Sequence, residues 1–156
     1  MLGNVWRFDI NSSTAATIGT GTALKFTTLF SESSATNAQP IMTTPVLGTI
    51  GGKRVVFIGT GKYLEVSDLA TTQKQSQYAI KDDDATATLT NARSSLVQQF
   101  LVDNPDATAT RLASGTAVAA GTAPTASNPV DFATGRGWFV DFPETRERVN
   151  IDARLV

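Results

Sequence analysis

The segment Ile50-Gly51-Gly52-Lys53-Arg54-Val55-Val56-Phe57-Ile58-Gly59-Thr60-Gly61 carries the strongest structural signal in the sequence. Paired glycines supply positive φ cheaply, so Gly51-Gly52 reads as a tight turn. Arg54–Ile58 is a short continuous apolar run, the pattern of a strand buried on both faces. Gly59-Thr60-Gly61 ends it and marks a place where the backbone comes close to another strand. On the other side of the turn, Pro40–Val46 reads as the partner strand, confined by Pro40 and Pro45 to a strand start or an edge. The unit is a hairpin.

Outward from it, apolar residues recur with period two and not 3.6. Val5–Ile10 places Trp6, Phe8 and Ile10 on one face, with Arg7 and Asp9 on the other, as in a half-buried strand. Leu24–Phe30 repeats the pattern with Leu24, Phe26 and Phe30, after a Ser/Thr/Gly loop over Asn11–Gly21. Tyr63–Gln75 is polar and accommodates one short helical turn, with Ser67 or Asp68 as the N-cap. Ser76–Lys81 and Ser94–Val102 read as a third and fourth strand of the meander begun by the hairpin, joined by Asp82–Asn91. Asp103–Asp131, rich in Ala, Thr, Gly, Pro and Ser, reads as a low-complexity surface insertion with one weak strand at Thr110–Val118. Trp138–Phe142 and Arg148–Leu155 form a last strand pair across the turn Pro143–Glu147. Trp138, Val140 and Phe142 share a face of the first, and Val149, Ile151, Ala153 and Leu155 share a face of the second.

Seven or eight strands and no convincing long helix give an all-β class, a sandwich or a propeller. A four-stranded meander is the content of one propeller blade. The chain would then be a single partial propeller unit over residues 1–156, holding about two blades.

Composition narrows the chemistry. The 156 residues carry 13 basic and 14 acidic groups, with no His and no Cys. Thiol nucleophiles, disulfides and thiolate metal sites are excluded, as is the commonest general base. A net charge of −1 argues against an electrostatic grip on nucleic acid or anionic lipid. At 41% hydrophobic, with eight Phe, the chain can still bury a real core. No apolar run approaches the ~18 residues of a membrane span. The start, Met1-Leu2-Gly3-Asn4-Val5-Trp6-Arg7, does not read as a signal peptide. It reads as a strand already under way, as if cut from something longer.

Several strings resemble one family in order along the chain. Leu2-Gly3-Asn4-Val5-Trp6-Arg7-Phe8-Asp9 resembles the "GD-L-GN-W-FDL" strand of the PilY-type (PilC-like) tip-associated adhesins of type IV pili. Gln39-Pro40-Ile41-Met42-Thr43-Thr44-Pro45 is similar to their "QPIT-P" strand, and Val55–Asp68 to their "V-FGTGK-L--SD" segment. Gln75–Ile80, Arg93–Val97, Gly137–Pro143 and Glu147–Val149 continue the match; only Asp103–Asp131 is a large stretch without one. The resemblance implies a modified β-propeller and an exported protein of a Gram-negative periplasm, outer membrane or pilus tip. It implies pilus assembly, retraction control, twitching motility and surface adhesion, with minor pilins or a host or abiotic surface as partners. The family's calcium loop precedes the "GD-L-GN-W" strand. On this resemblance it would lie upstream of Met1, so no cofactor and no metal ligand is carried over.

No residue reads as catalytic, cofactor-binding or metal-ligating. Asp82-Asp83-Asp84 is the densest acidic cluster, but a calcium loop needs alternating ligands, a Gly turn and a distal bidentate acid, so it reads as a solvated turn. Gly59-Thr60-Gly61-Lys62 is too short for a phosphate loop and is followed by Tyr63-Leu64. Trp6 and Trp138 read as core residues, while Tyr63 is open to a binding role. Arg146, Arg148 and Arg154, mixed with Glu144, Glu147 and Asp152, read as a solvated strand face. Ser94-Ser95 has no His to activate it. The expected function is a non-enzymatic interaction module. The alternatives are a quinoprotein-like propeller enzyme fragment and a carbohydrate-binding β domain. With only part of a propeller, exposed edge strands favour homo-oligomer formation.

Overall fold

A computed structural model describes residues 3–8, 23–29, 39–83, 89, 92–103, 111–114 and 128–155. The described residues are all-β. In chain order the strands are β1 (Asn4–Phe8), β2 (Ala23–Thr28), β3 (Val46–Ile50), β4 (Lys53–Gly59), β5 (Ser76–Asp82), β6 (Val97–Gln99), β7 (Leu101–Asp103), β8 (Arg111–Ala113) and β9 (Gly137–Asp141). Two short 3-10 turns, Val66–Ala70 and Ala92–Ser95, lie between them.

The principal sheet has the order β3-β4-β5-β9-β6. Its first hairpin closes through Gly51 and Gly52 at φ 55° and 75°, with Ile50 opposite Lys53. Two successive left-handed residues match the twist of the flanking strands. The partner of β4 is Val46–Ile50; of the expected strand over Pro40–Val46, Val46 alone enters the ladder. Pro40 and Pro45 lack an N–H to donate. The intervening backbone bonds elsewhere, the Pro40 carbonyl accepting from Gly61 N–H and Thr44 N–H donating to Asp152.

β4 is buried on both sides, as its unbroken apolar run requires. Ile58 joins a core cluster with Leu29, Tyr78, Ile80, Ala92, Leu96 and Phe139, against which Val5, Ile41, Val56 and Leu89 pack. Val55 joins Ala79 and Phe132 in a second cluster, flanked by Phe57, Val130 and Trp138. Alternate residues of β4 and β5 thus supply opposite faces.

The place beside β5 expected for Ser94–Val102 is taken by β9, antiparallel, with Tyr78 opposite Phe139. β6 lies outside β9 and parallel to it. Burial explains the choice. Gly137-Trp138-Phe139-Val140 is apolar toward both faces and fits an interior position, whereas Val97-Gln98-Gln99 suits an edge. The rest of Ser94–Val102 divides between a 3-10 turn and β7, which pairs antiparallel with β8. β8 falls inside the expected weak strand Thr110–Val118; the greater part of the Asp103–Asp131 insertion lies outside the described residues.

β1 pairs with β2, with an irregularity in register between Val5 and Trp6. Period two holds, but the face is reversed. Val5 packs on the core, whereas Trp6 is 50% and Phe8 66% exposed. Arg7 turns toward Asp82 and bonds its carboxylate, and a bulge re-aims side chains in this way. The expected core role of Trp6 and Phe8 is therefore corrected, while Trp138, also expected in the core, is partly buried and packs against the second cluster. Ile10, Phe30, the Asn11–Gly21 loop and the side chains of Leu24 and Phe26 lie outside the described residues.

Arg148–Leu155 is not a strand. Val149 N–H bonds the Thr60 carbonyl, Asp152 is taken by Thr44, and Ile151 and Leu155 are exposed. Among the described residues no strand forms a ladder with this segment. The N-cap of the first 3-10 turn is Glu65, not Ser67 or Asp68. Asp68 still caps, from inside the turn, by accepting the Leu64 and Glu65 N–H groups.

Candidate functional site

Five polar residues from four segments, Ser76 and Tyr78 both from β5, meet on the core side of the sheet. Gln39 donates to the Lys74 carbonyl and the Ser76 hydroxyl and accepts from the Tyr78 hydroxyl. Arg93 holds Asp141 with two parallel bonds of 2.9 and 2.6 Å, and reaches Tyr78 Oη at 3.1 Å. Its guanidinium carbon lies 3.9 Å from the Phe139 ring centroid, close enough for cation–π attraction. Burial alone pushes the Asp141 carboxyl up, but Arg93 and Ser76 outweigh it and hold it below its ordinary value. Burial likewise raises the Tyr78 phenol, with Arg93 opposing. Every member is bonded to another, so the network fixes the relative positions of these segments.

A second junction joins Gly59-Thr60-Gly61 to Arg148-Val149. A Cβ on Gly59 would stand 2.5 Å from Val149 Cγ1, and one on Gly61, at φ 140°, 2.3 Å from Arg148 Cβ. The close approach expected at this glycine pair is therefore real, and its partner is the segment after β9. Arg148 donates to the carbonyls of Lys62 at 2.6 Å and Asp68 at 2.8 Å. Lys62 pairs with Glu65 and Asp68; no phosphate cradle is formed.

The Asp cluster does not suit a calcium ion. Asp82 is held by Arg7, with Arg54 at 4.0 Å, and Asp83 by Arg136. Both carboxylates already face guanidinium groups, and Asp84 lies outside the described residues. Among the described residues no group of three or more His, Cys, Asp or Glu is placed to hold a metal. Ser94 and Ser95 are exposed on a 3-10 turn.

A cavity of about 570 Å³ lies among the described residues, beside the second junction. Its apolar wall is Tyr63, Leu69, Leu101 and Phe142; Arg111, Arg146, Glu147 and Arg148 supply its charge. The volume falls in the range of ligand clefts, ~300–1,000 Å³. Arg111 is paired with Glu147 and Asp103. Arg148 is spent on main-chain carbonyls and lies 5.9 Å from the Tyr63 ring centroid. Arg146 is exposed at φ 74°, and its side chain has no hydrogen-bond or ion-pair partner among the described residues.

The expected solvated face of Arg146, Arg148 and Arg154 thus separates into three roles. Arg148 is a structural pin, Arg146 a cavity cation, and Arg154 an exposed residue of the last segment. Tyr63, left open between roles, lines the cavity. The sequence reading missed the polar network. Its signal was there: Gln39, Tyr78 and Asp141 sit in otherwise apolar extended segments, where an unpaired polar group is costly. Nothing in the sequence marks Leu69, Leu101 and Phe142 as one wall, because they come from a 3-10 turn, the start of β7 and the residue after β9.

A family model described as the PilY1 beta-propeller domain matches residues 1–117. Among curated proteins, the chain is similar to the "Type IV pilus biogenesis factor PilY1 homolog" of Xylella fastidiosa, with 31% identity over 144 residues. That alignment covers 90% of this chain and 10% of the relative, so the chain spans about a tenth of the relative's length. No solved structure matches.

Proposed function

Because the chain belongs to the PilY1 beta-propeller family, we propose that it is a non-catalytic interaction module of a type IV pilus biogenesis factor. Its work on this reading is to present surface loops from a rigid sheet to other pilus-tip components, minor pilins among them. Loops on a rigid scaffold commonly carry recognition. Pilus assembly and retraction control, and adhesion to a surface, follow from such contacts. The location on this reading is exported, at the outer membrane or pilus tip.

One observation carries the reading. The strings that mark the family resemblance are joined to each other inside the fold. Gln39, Ser76, Tyr78, Arg93 and Asp141 form one network. Gly59 and Gly61 receive Val149 and Arg148. Gly3 lies against the Gln39 carbonyl. The residues that carry the resemblance are thus in contact with one another in this chain, which supports reading them as parts of one scaffold rather than as scattered identities.

The test is genetic. In a piliated bacterium encoding this chain, in-frame removal of its coding segment should abolish surface pili and twitching. Wild-type piliation and twitching would overturn the reading. Purified protein supplied with quinone and calcium should show no dye-linked alcohol oxidation; turnover would favour the quinoprotein alternative.

A further inference from the structure

We propose that the cavity at Arg146 is a docking site for an extended acidic segment of a partner protein, a carboxylate side chain flanked by apolar ones. The inference rests on the reading of the chain as an interaction module and names the chemistry of its partner.

Three observations point the same way. First, the charges lining the cavity are three guanidinium groups and one carboxylate, Glu147. Glu147 is held by Arg111, and Arg148 is bound to carbonyls, so Arg146 is the lining cation left for a ligand. A guanidinium takes a carboxylate through two parallel bonds, which gives direction as well as charge.

Second, Arg146 is the non-glycine residue found at positive φ among the described residues, at 74°. That conformation is uncommon outside glycine and costs free energy. Gly at this position would relax the backbone and lose the guanidinium. The neighbouring geometry holds the strained form in place: the Arg146 carbonyl accepts from Arg148 Nε at 3.0 Å, and Arg148 is itself anchored on the 62–71 segment.

Third, the cavity does not end at the cation. Tyr63 and Leu69 also line an adjoining hollow of about 300 Å³ with Leu64, Glu65 and Val66; the Glu65 carboxylate is paired with Lys62, and the other four residues are apolar or aromatic. Tyr63, Leu64, Val66 and Leu69 are 53, 64, 83 and 50% exposed. An anion alone would use the Arg146 corner and leave this apolar shelf uncovered. A peptide carrying an acid beside Leu- or Phe-like side chains would cover both. The charge complementarity selects an acidic segment over a basic one, and burial of the shelf supplies the non-directional part of the affinity.

The test uses the 156-residue chain and two capped peptides, acetyl-Asp-Leu-Asp-Phe-amide and its counterpart with Asn for both Asp. Binding is followed by amide shifts in ¹⁵N spectra. The acidic peptide should shift the Tyr63, Leu69 and Arg146 signals with a Kd of about 0.1–1 mM. The Asn peptide and the Arg146→Gly variant should each bind roughly tenfold more weakly. Arg146→Gly should melt no lower than wild type, because it relieves a positive φ, and Arg146→Lys should keep part of the affinity. Equal binding of the two peptides, unchanged binding by Arg146→Gly, or no binding at several millimolar overturns the proposal. So does citrate binding as tightly as the peptide, which would make this a small-anion site. These outcomes are independent of pili. A chain that binds no peptide while its removal still abolishes piliation leaves the interaction-module reading standing and removes only the inference about the Arg146 cavity.

Discussion

Arg93 grips both carboxylate oxygens of Asp141, Nη1 to Oδ1 at 2.9 Å and Nη2 to Oδ2 at 2.6 Å. The pair ties the 3-10 turn before β6 to the end of β9. It is the point at which the fold depends most on one ion pair, since the same guanidinium also bonds Tyr78 and Ser76. Removing one partner leaves the other charged and poorly solvated. Arg93→Met and Asp141→Ala should each destabilise by about 3 kcal/mol, read as a fall in urea midpoint at unchanged slope. Arg93→Lys should recover only part, because an ammonium cannot make the two-bond grip. A loss below 1 kcal/mol in both single variants would show the pair to be ornamental.

Acid should dissect the same pair. Asp141 has a folded-state pKa below its ordinary value. Its contribution is therefore fully present above the unfolded carboxylate range of about 3.9 and is lost as pH falls through the lower, folded value. Asp68, lowered chiefly by the Leu64 N–H against the effect of burial, acts in the same direction. Stability should be flat near neutrality and fall below about pH 4. Asp141→Asn should be less stable than wild type at pH 7 and lose less on acidification. Parallel acid limbs for the two proteins would contradict the assignment.

The glycine junction makes a steric prediction. Gly59→Ala would place a methyl 2.5 Å from Val149 Cγ1, an overpacking expected to cost about 1–3 kcal/mol. Val149→Ala in the same chain removes the obstructing methyls, so the double variant should lose less than the sum of the singles. Strict additivity would mean that the segment after β9 simply moves aside.

Arg148 should act as a pin. Arg148→Met keeps apolar bulk but removes the donors to the Lys62, Asp68 and Thr71 carbonyls. Amide hydrogens of residues 62–71 should then exchange faster while β4 and β5 stay protected. Uniform acceleration across the sheet would show a global effect instead.

The elements that could be read from sequence were those specified by local chemistry. The Gly51-Gly52 turn, the doubly buried β4, β5 and the apolar β9 follow from turn propensity and period. Close approach at Gly59-Thr60-Gly61 was legible for the same reason. What was not legible depended on which strand sits beside which. No local feature announces that β9 enters between β5 and β6, or that Arg7 finds Asp82 and so turns Trp6 and Phe8 outward. The Arg148–Leu155 segment alternates like a strand, yet it joins no ladder among the described residues. Of the candidate site, Tyr63 and the arginines were singled out, but their division into pin and free cation is set by carbonyls distant in sequence.

The insertion of β9 beside β5 also sets the order of events during synthesis. β5 ends at Asp82 and β9 begins at Gly137. A ribosome adding about 5–20 residues per second needs roughly 3–11 seconds to cover that gap. Until then one edge of β5, with Tyr78 and Ile80 beside it, has no neighbour. Pairing across so long a separation is of the kind that slows folding, because loop-closure entropy is lost before the contact forms. Over that interval β3, β4 and β5 can pair with one another, while the inner position beside β5 waits for residues that lie 55 positions further along the chain.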